Sequence, residues 1–373
     1  MEQDYLIIGW IGYNNIGDEL ILHSLLSYLE DEHDNITVIS GNPQQTEMIH
    51  GIKASPVNFS AIKKIRKAQR IIFTGGQLFH DNRIRTIPLW SSILKSINWL
   101  NKDCQIVLLN QGFETKNKIL LKIMRNAFSH VNFISVRDSA SLGFINKLNL
   151  DLPIYFGPDL FFAMNFSDVV ENSVYKKKNS RISLGINIRS SFWWQNIFNI
   201  QKFERSIAKS LDSLTGELDI DLAFFPFSIP GKEFNSDLEI IKNIASKMKN
   251  KDNTTIYTPS FNKNFFKDFI TTFCQLDFVI GMALHSLILS CKLSIPFLAI
   301  PYQKKCEVFM KDSDLTKFIL KSNEMLSPNL LLKRVSKMID EGDKIKSLIV
   351  SKNKSMYYDS KQAHIQPLLK MNM

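Results

Sequence analysis

Asp277-Phe278-Val279-Ile280-Gly281-Met282-Ala283-Leu284-His285-Ser286-Leu287-Ile288-Leu289-Ser290-Cys291-Lys292-Leu293-Ser294-Ile295-Pro296-Phe297-Leu298-Ala299-Ile300-Pro301-Tyr302 is a run that a hydropathy scan could take for a membrane span. From Phe278 to Tyr302 its strongly polar or charged side chains are His285, Ser286, Ser290, Lys292 and Ser294. A spanning helix needs about 20 unbroken apolar residues, and here it would carry Lys292, Pro296 and Pro301. Short apolar runs at Asp277–Ile280 and Phe297–Ile300, around a helical period at Leu284–Lys292, read instead as buried strand, helix and strand. The segment belongs inside a soluble α/β protein.

The same alternation extends outward in both directions. Strands are predicted at Tyr5–Ile11, Ile36–Ile39, Arg70–Phe73, Gln105–Leu109 and Asn132–Val136, with a helix over Asp18–Leu29 and amphipathic segments between the others. After Gly157-Pro158-Asp159 the pattern stops, and Asn172–Asn179 is polar and basic, as a linker or exposed loop would be. It restarts with strands at Ile182–Ile188, Asp221–Phe225 and Thr255–Tyr257 and helices near Asn196–Leu214, Asn235–Met248 and Lys263–Phe273. The segment from Ser327 mixes lysines with apolar residues and reads as helical. Strands alternating with helices predict parallel sheets covered on both faces. The expected organisation is two Rossmann-like doubly wound domains, residues 1–165 and 180–325, facing across a cleft, followed by a helical segment 326–373.

Composition narrows the classes further. Of 373 residues 45% are hydrophobic and 22% charged, an ordinary globular balance that excludes a disordered tail or a disulfide-stapled mini-domain. Lysine and arginine exceed aspartate and glutamate by 46 − 36 = 10, which suits an anionic partner. The cysteines Cys104, Cys274, Cys291 and Cys306 form no CxxC pair, so neither zinc nor a disulfide framework is expected, and a reducing compartment is. The start, MEQDYLIIGW, carries acids where a signal peptide needs bases. The basic run Lys63, Lys64, Arg66, Lys67 and Arg70 reads as a solvated helix face rather than a nucleic-acid module.

In doubly wound sheets chemistry gathers in the loops after strands. Gly9 to Glu19 (GWIGYNNIGDE) links the first strand to the first helix, without the spacing of GxGxxG or a Walker A motif. It offers either an anion site at the helix N-terminus or acids that complement the helix dipole. Thr74-Gly75-Gly76-Gln77 and Asn110-Gln111-Gly112 end two further strands, and paired glycines there imply close backbone approach. Arg137 in Ser135-Val136-Arg137-Asp138 suits a phosphate or carboxylate, with Asp138 capping the next helix; the alternative is an Arg–Asp surface pair. Arg189 ends the first strand of the second half, followed by Phe192, Trp193 and Trp194, which suit stacking or interdomain packing. His285 opens an apolar helix at a strand end; it is either a satisfied core histidine or a proton-transfer group. Tyr302-Gln303-Lys304-Lys305 brings cations to the end of the next strand.

The chain resembles the polysaccharide pyruvyl transferase family. The ordered segments are GYNNIGDELILHSLLSYL, TGGQLFHD, NQGF, FISVRDSASLGFI, GPDLFF, LGINIRSS, FFPFS and DFVIGMALHSLILSCKLSIPFLAIPYQKK, covering most of residues 5–310. The resemblance implies a glycosyltransferase-B-like fold. It also implies transfer of a pyruvyl group from phosphoenolpyruvate to a sugar of a cell-envelope or exopolysaccharide glycan, usually as a cyclic ketal. Position by position it implies Asp18 and His285 as catalytic residues and Arg137, Arg189 and Lys305 as anion-binding ones. Asn15, Gly75, Gly76, Gln111 and Leu284 join these as candidate substrate-binding residues. The family arginine two residues before the histidine is Ala283 here. Either the remaining cations take over the anion, or the donor has changed, or the domain no longer catalyses.

The reading therefore favours a ketal-forming pyruvyltransferase, with a nucleotide-sugar glycosyltransferase or a non-catalytic family member as alternatives. No metal or cofactor is expected, phosphoenolpyruvate being the donor substrate. The expected partners are that donor and a sugar or lipid-linked glycan acceptor, not nucleic acid. A homo-oligomer is compatible with the sequence. So is a cytoplasmic location, with peripheral contact at the inner face of the cell membrane.

Overall fold

The computed structural model describes residues 4–80, 85–165, 181–189, 199–229 and 236–371. The basic stretch Asn172–Asn179 and the aromatics Phe192, Trp193 and Trp194 lie outside them. The chain divides into two compact units, Met1–Met164 with Phe261–Lys263 and Ser355–Met373, and Asn165–Ser260 with Asn264–Lys354.

In the first unit the strands are β1 (Tyr5–Ile8), β2 (Ile36–Ser40), β3 (Lys53–Pro56), β4 (Arg70–Thr74), β5 (Phe79–His80), β6 (Gln105–Gln111), β7 (Phe113–Glu114), β8 (Phe133–Val136) and β9 (Ile154–Phe156). Seven of them form a parallel sheet in the order β3-β2-β1-β4-β6-β8-β9, and β5 pairs with β7. The apolar runs are continuous because both faces are covered. Leu6, Ile8, Ile71, Phe73, Ile106 and Leu108 enter one core cluster. Their neighbours Tyr5, Ile7, Ile72, Val107 and Leu109 enter the other. Around the sheet run α1 (Ile16–Leu26), α2 (Pro43–His50), α3 (Phe59–Lys67), α4 (Thr86–Leu100), α5 (Lys118–Phe128) and α6 (Ser139–Asn146).

The second unit repeats the logic with β10 (Ile182–Asn187), β11 (Ile220–Phe224), β12 (Thr254–Ile256), β13 (Phe278–Gly281) and β14 (Phe297–Ala299), parallel in the order β12-β11-β10-β13-β14. The apolar run 277–302 resolves into β13, a helix over Leu284–Lys292 and β14. Among the described residues no helix is long and apolar enough to cross a membrane. Each sheet reverses its winding once, between β1 and β4 in the first and between β10 and β13 in the second. Loops leaving neighbouring strands diverge at such a switch point, which makes it the favoured ligand position.

Three features depart from the sequence reading. The edge strands β3 and β9 were not expected, and both are short and largely unburied, so they lack the apolar signature of the inner strands. Arg70 is no part of a solvated helix face: α3 ends at Lys67, and Arg70 opens β4 at 1% exposure. Its Nε and Nη2 donate to Gln105 Oε1 at 2.9 and 2.6 Å, and its guanidinium covers the Tyr5 ring. Burial pulls its pKa downward. The helix predicted from Asp18 begins at Ile16 instead, because Asn15 caps it.

Helices follow one another from Pro328 to Lys370, and Ser355–Met373 belongs to the first unit. A π-helical turn, Lys361–Ile365, places His364 at 0% exposure. Its Nε2 lies 2.8 Å from the Pro158 carbonyl and its Nδ1 2.8 Å from Ser135 Oγ. A carbonyl only accepts, so Nε2 carries the proton and Nδ1 accepts from the Ser135 hydroxyl. That hydroxyl in turn accepts the Asn110 N–H. Burial lowers the His364 pKa from 6.5 to about 4. The unfolded chain thus binds the proton more readily, and this group's contribution to stability is complete above pH 6.5 and lost as pH falls through 4. The full loss is roughly 3 kcal/mol at 1.36 kcal/mol per unit. Urea unfolding followed from pH 7 to pH 4 should show that slope, and His364→Gln should reduce it by this share, while His23, whose pKa burial lowers to about 3, keeps a slope of the same sign.

Candidate functional site

The carboxyl edge of the first sheet is built by three strand-end loops. Asn15 caps α1, its side chain accepting the Gly17 N–H and its carbonyl the N–H groups of Asp18 and Glu19. The two acids have different tasks. Glu19, 1% exposed, accepts the Gly12 N–H at 2.8 Å through Oε1, while Oε2 lies 2.9 Å from His50 Nε2. Asp18, 6% exposed, faces the Gly75–Gly76 turn. A Cβ on Gly76, whose φ is +57°, would stand 3.0 Å from Asp18 Oδ1, so this turn admits no side chain at ease.

Gln111 is fully buried at the end of β6. Its Nε2 donates to the carbonyls of Leu109 (3.0 Å) and Phe73 (3.2 Å), which ties the β6 end to β4. Arg137, directly after β8, makes a buried ion pair with Asp159 at 3.0 Å, each side chain 3% exposed. Asp138 caps α6 through the Ser141 N–H, as the sequence suggested. Thr74 Oγ1, Gln111 Oε1 and Arg137 Nε have no protein partner among the described residues. Buried polar atoms are overwhelmingly paired, so this grouping at one sheet edge marks it as a place built to meet something polar.

In the second unit Arg189 stands two residues beyond β10. Its Nη1 donates to Asp237 Oδ2 at 3.0 Å, and its guanidinium lies 5.8 Å from the Tyr302 ring centroid. Burial alone would depress the Arg189 pKa; the Asp237 carboxylate, then Tyr302, outweighs it, and the net shift is upward. The Tyr302 phenol is pushed up, chiefly by burial. The first keeps the guanidinium charged and the second keeps the phenol neutral. Asp237 is itself held by the N–H groups of Phe227 (3.2 Å) and Ser228 (2.9 Å). The guanidinium is therefore fixed at one corner, while its Nε lacks a protein partner among the described residues. His285 is the second residue of the helix Leu284–Lys292 and half-buried, between buried Leu284 and Ser286. Lys305, half-buried, is the second residue of the helix Lys304–Asp312 that follows β14.

Sequence reasoning passed over the residue that organises this edge. Asn187, the last residue of β10 and 1% exposed, accepts the Ala283 N–H (2.7 Å) and the Met282 N–H (3.3 Å). Its Nδ2 donates to the Phe225 carbonyl at 2.9 Å. One amide thus clamps the loops after β11 and β13, the second of which leads into the helix that bears His285. A polar residue between Ile186 and Ile188 was the available signal. Asp159 and Asp237 were likewise missed as partners of the two arginines, since both lie far along the chain from them. No three His, Cys, Asp or Glu side chains among the described residues group as a metal site would require.

Two doubly wound parallel sheets with polar switch-point loops define a Rossmann-like fold of the glycosyltransferase-B kind. UDP-GlcNAc 2-epimerase from Neisseria meningitidis bound to UDP-GlcNAc shares it, with 11% identity over 99% of this chain and 100% of that one and a TM-score of 0.60. So do Anabaena Alr3699/HepE in complex with UDP-glucose (10%, 96% and 95%, 0.57) and the S. aureus MnaA–UDP structure (11%, 94% and 91%, 0.58). No curated protein matches the sequence. The polysaccharide pyruvyl transferase family model matches residues 15–304, and the chain belongs to that family.

Asn187→Ala removes the acceptor of a buried N–H and the donor to a buried carbonyl, at about 1–3 kcal/mol for each group left unpaired. Urea denaturation should show a loss of roughly 2–6 kcal/mol. A change under about 0.5 kcal/mol, the range of a neutral surface substitution, would deny the clamp.

Proposed function

We propose that the protein transfers a pyruvyl group from phosphoenolpyruvate to a sugar of an envelope or extracellular glycan, closing a cyclic ketal. The observation that carries this reading is the family match over residues 15–304, joined to a guanidinium at Arg189 held by Asp237 with Nε to spare. Arg189 and Lys305 bind the phosphate and carboxylate of the donor. Arg137, braced by Asp159, offers Nε at the other sheet edge, where Asp18, Asn15, Gly75, Gly76 and Gln111 receive the acceptor.

The chemistry balances without a cofactor. A proton from His285 adds to the donor's terminal CH2, which becomes the methyl, and C2 takes the first acceptor oxygen, whose hydroxyl proton returns to His285. A second hydroxyl attacks C2, the C2–O bond to phosphate breaks, and the departing phosphate takes the second proton. Two C–O bonds form, one breaks, and inorganic phosphate leaves. Such general acid help is worth about 10²–10⁴-fold.

A second reading, a nucleotide-sugar transferase, is favoured by one observation: structures of the same fold carry UDP, UDP-glucose or UDP-GlcNAc. Phosphate release from phosphoenolpyruvate with a panel of envelope sugars separates the two. The expected result is release by the native chain and at least a hundredfold slower release by His285→Ala. Release no faster than that variant for every acceptor, together with thermal stabilisation by UDP and none by phosphoenolpyruvate, would replace the first reading with the second.

A further inference from the structure

We infer that α3 and its surroundings form a docking face for a bilayer rich in anionic phospholipid, an interaction independent of the proposed chemistry. The helix sequence FSAIKKIRK contains no acid. Its Ala61 and Ile65 pack against the first unit's core, yet none of its residues is fully buried. The i, i+4, i+7, i+8 spacing puts Phe59, Lys63, Arg66 and Lys67 on the opposite side within one arc, and all four are exposed.

The apolar members of this face are unusually bare. Phe59 is 87% exposed and Val57, two residues before it, 67%. At the other end of the helix, Asn101 Nδ2 donates to the carbonyls of Ile65 and Ala68. Two residues before that anchor stands Trp99, 77% exposed, with exposed Lys95 one turn earlier. Aromatic rings set at intervals among lysines and arginines fit a boundary between headgroups and acyl chains, where rings enter and long cationic stems keep their charge at the surface. A folded protein partner would need a pocket for each isolated ring, and a nucleic acid would read the cations without needing Val57. The charge complement is an anionic surface. Each lysine or arginine near one is worth about fivefold in affinity, and three or four give binding that is selective for surface charge and reversible.

The test is cosedimentation of the full chain with vesicles of phosphatidylcholine alone and of phosphatidylcholine and phosphatidylglycerol in equal parts. Binding is expected to the mixed vesicles and not to the neutral ones. Lys63→Glu with Arg66→Glu should weaken it at least tenfold and Phe59→Ser several-fold. Ile119→Ser, which alters an exposed residue on α5, should leave it unchanged. All four positions are at the surface, so circular dichroism should show native folding throughout. Absence of binding to the mixed vesicles, or equal binding by the double variant, overturns the inference. Loss with the double variant but none with Phe59→Ser assigns the face to a soluble polyanion and overturns the lipid assignment.

Discussion

The side-chain amide of Asn187 reaches three backbone groups on two neighbouring strand ends, and the carboxyl edge of the second sheet depends on it. A parallel sheet supplies such an edge for free: all its strands finish on one side, and the helices that follow begin there with unpaired N–H groups. What it does not supply is rigidity, because loops leaving adjacent strands diverge where the winding reverses. Asn187 closes that gap between β10, β11 and β13, and Asp237 performs the equivalent task for the guanidinium of Arg189. The loop that enters the His285 helix and the cation are thereby fixed to the same strand end. The first sheet uses different groups for the same end, Gln111 across β4 and β6 and Glu19 across the Gly12 loop.

Both arginines singled out at strand ends carry a buried or nearly buried carboxylate partner, and this changes what they can do. A free guanidinium loses rotamer freedom when it binds an anion; one already held through Nη1 loses less and retains donors in a fixed fork. The cost is that the carboxylate competes for the charge. Arg189 resolves this better than Arg137: Asp237 is also satisfied by two backbone N–H groups, and the tyrosine ring adds a second surface. Arg137 and Asp159, each at 3% side-chain exposure, form the more deeply buried pair of the two. At the position where the resemblance leads one to expect an arginine, Ala283 is 6% exposed and uses its N–H on Asn187.

The alternation of buried strands and helices was legible because double coverage makes every inner strand a continuous apolar run, and the stretch around His285 resolved as strand, helix and strand. The short edge strands at Lys53 and Ile154 were not, since half-exposed strands share their composition with loops. Strand-end position pointed to Asp18, Arg137, Arg189 and His285, and the structure puts each of them after a strand or at the start of a helix in its own unit. Their partners stayed hidden. Nothing local in the sequence links Arg189 to Asp237 or Asn187 to Ala283, because these pairs form only when parallel strands bring distant loops together. Arg70 was misjudged for the same reason: beside lysines it looks solvated, and only the pairing of β4 with β1 and β6 shows that Tyr5 and Gln105 enclose it.

The most direct measurement is nitrogen-15 NMR of the arginine side chains during titration with phosphoenolpyruvate. The account predicts that the Arg189 Nε–H resonance shifts and sharpens as the anion binds, and that the His285 ring signals move with the same saturation curve. A titration that leaves Arg189 unmoved while other arginines respond would contradict the placement of the anion at this strand end.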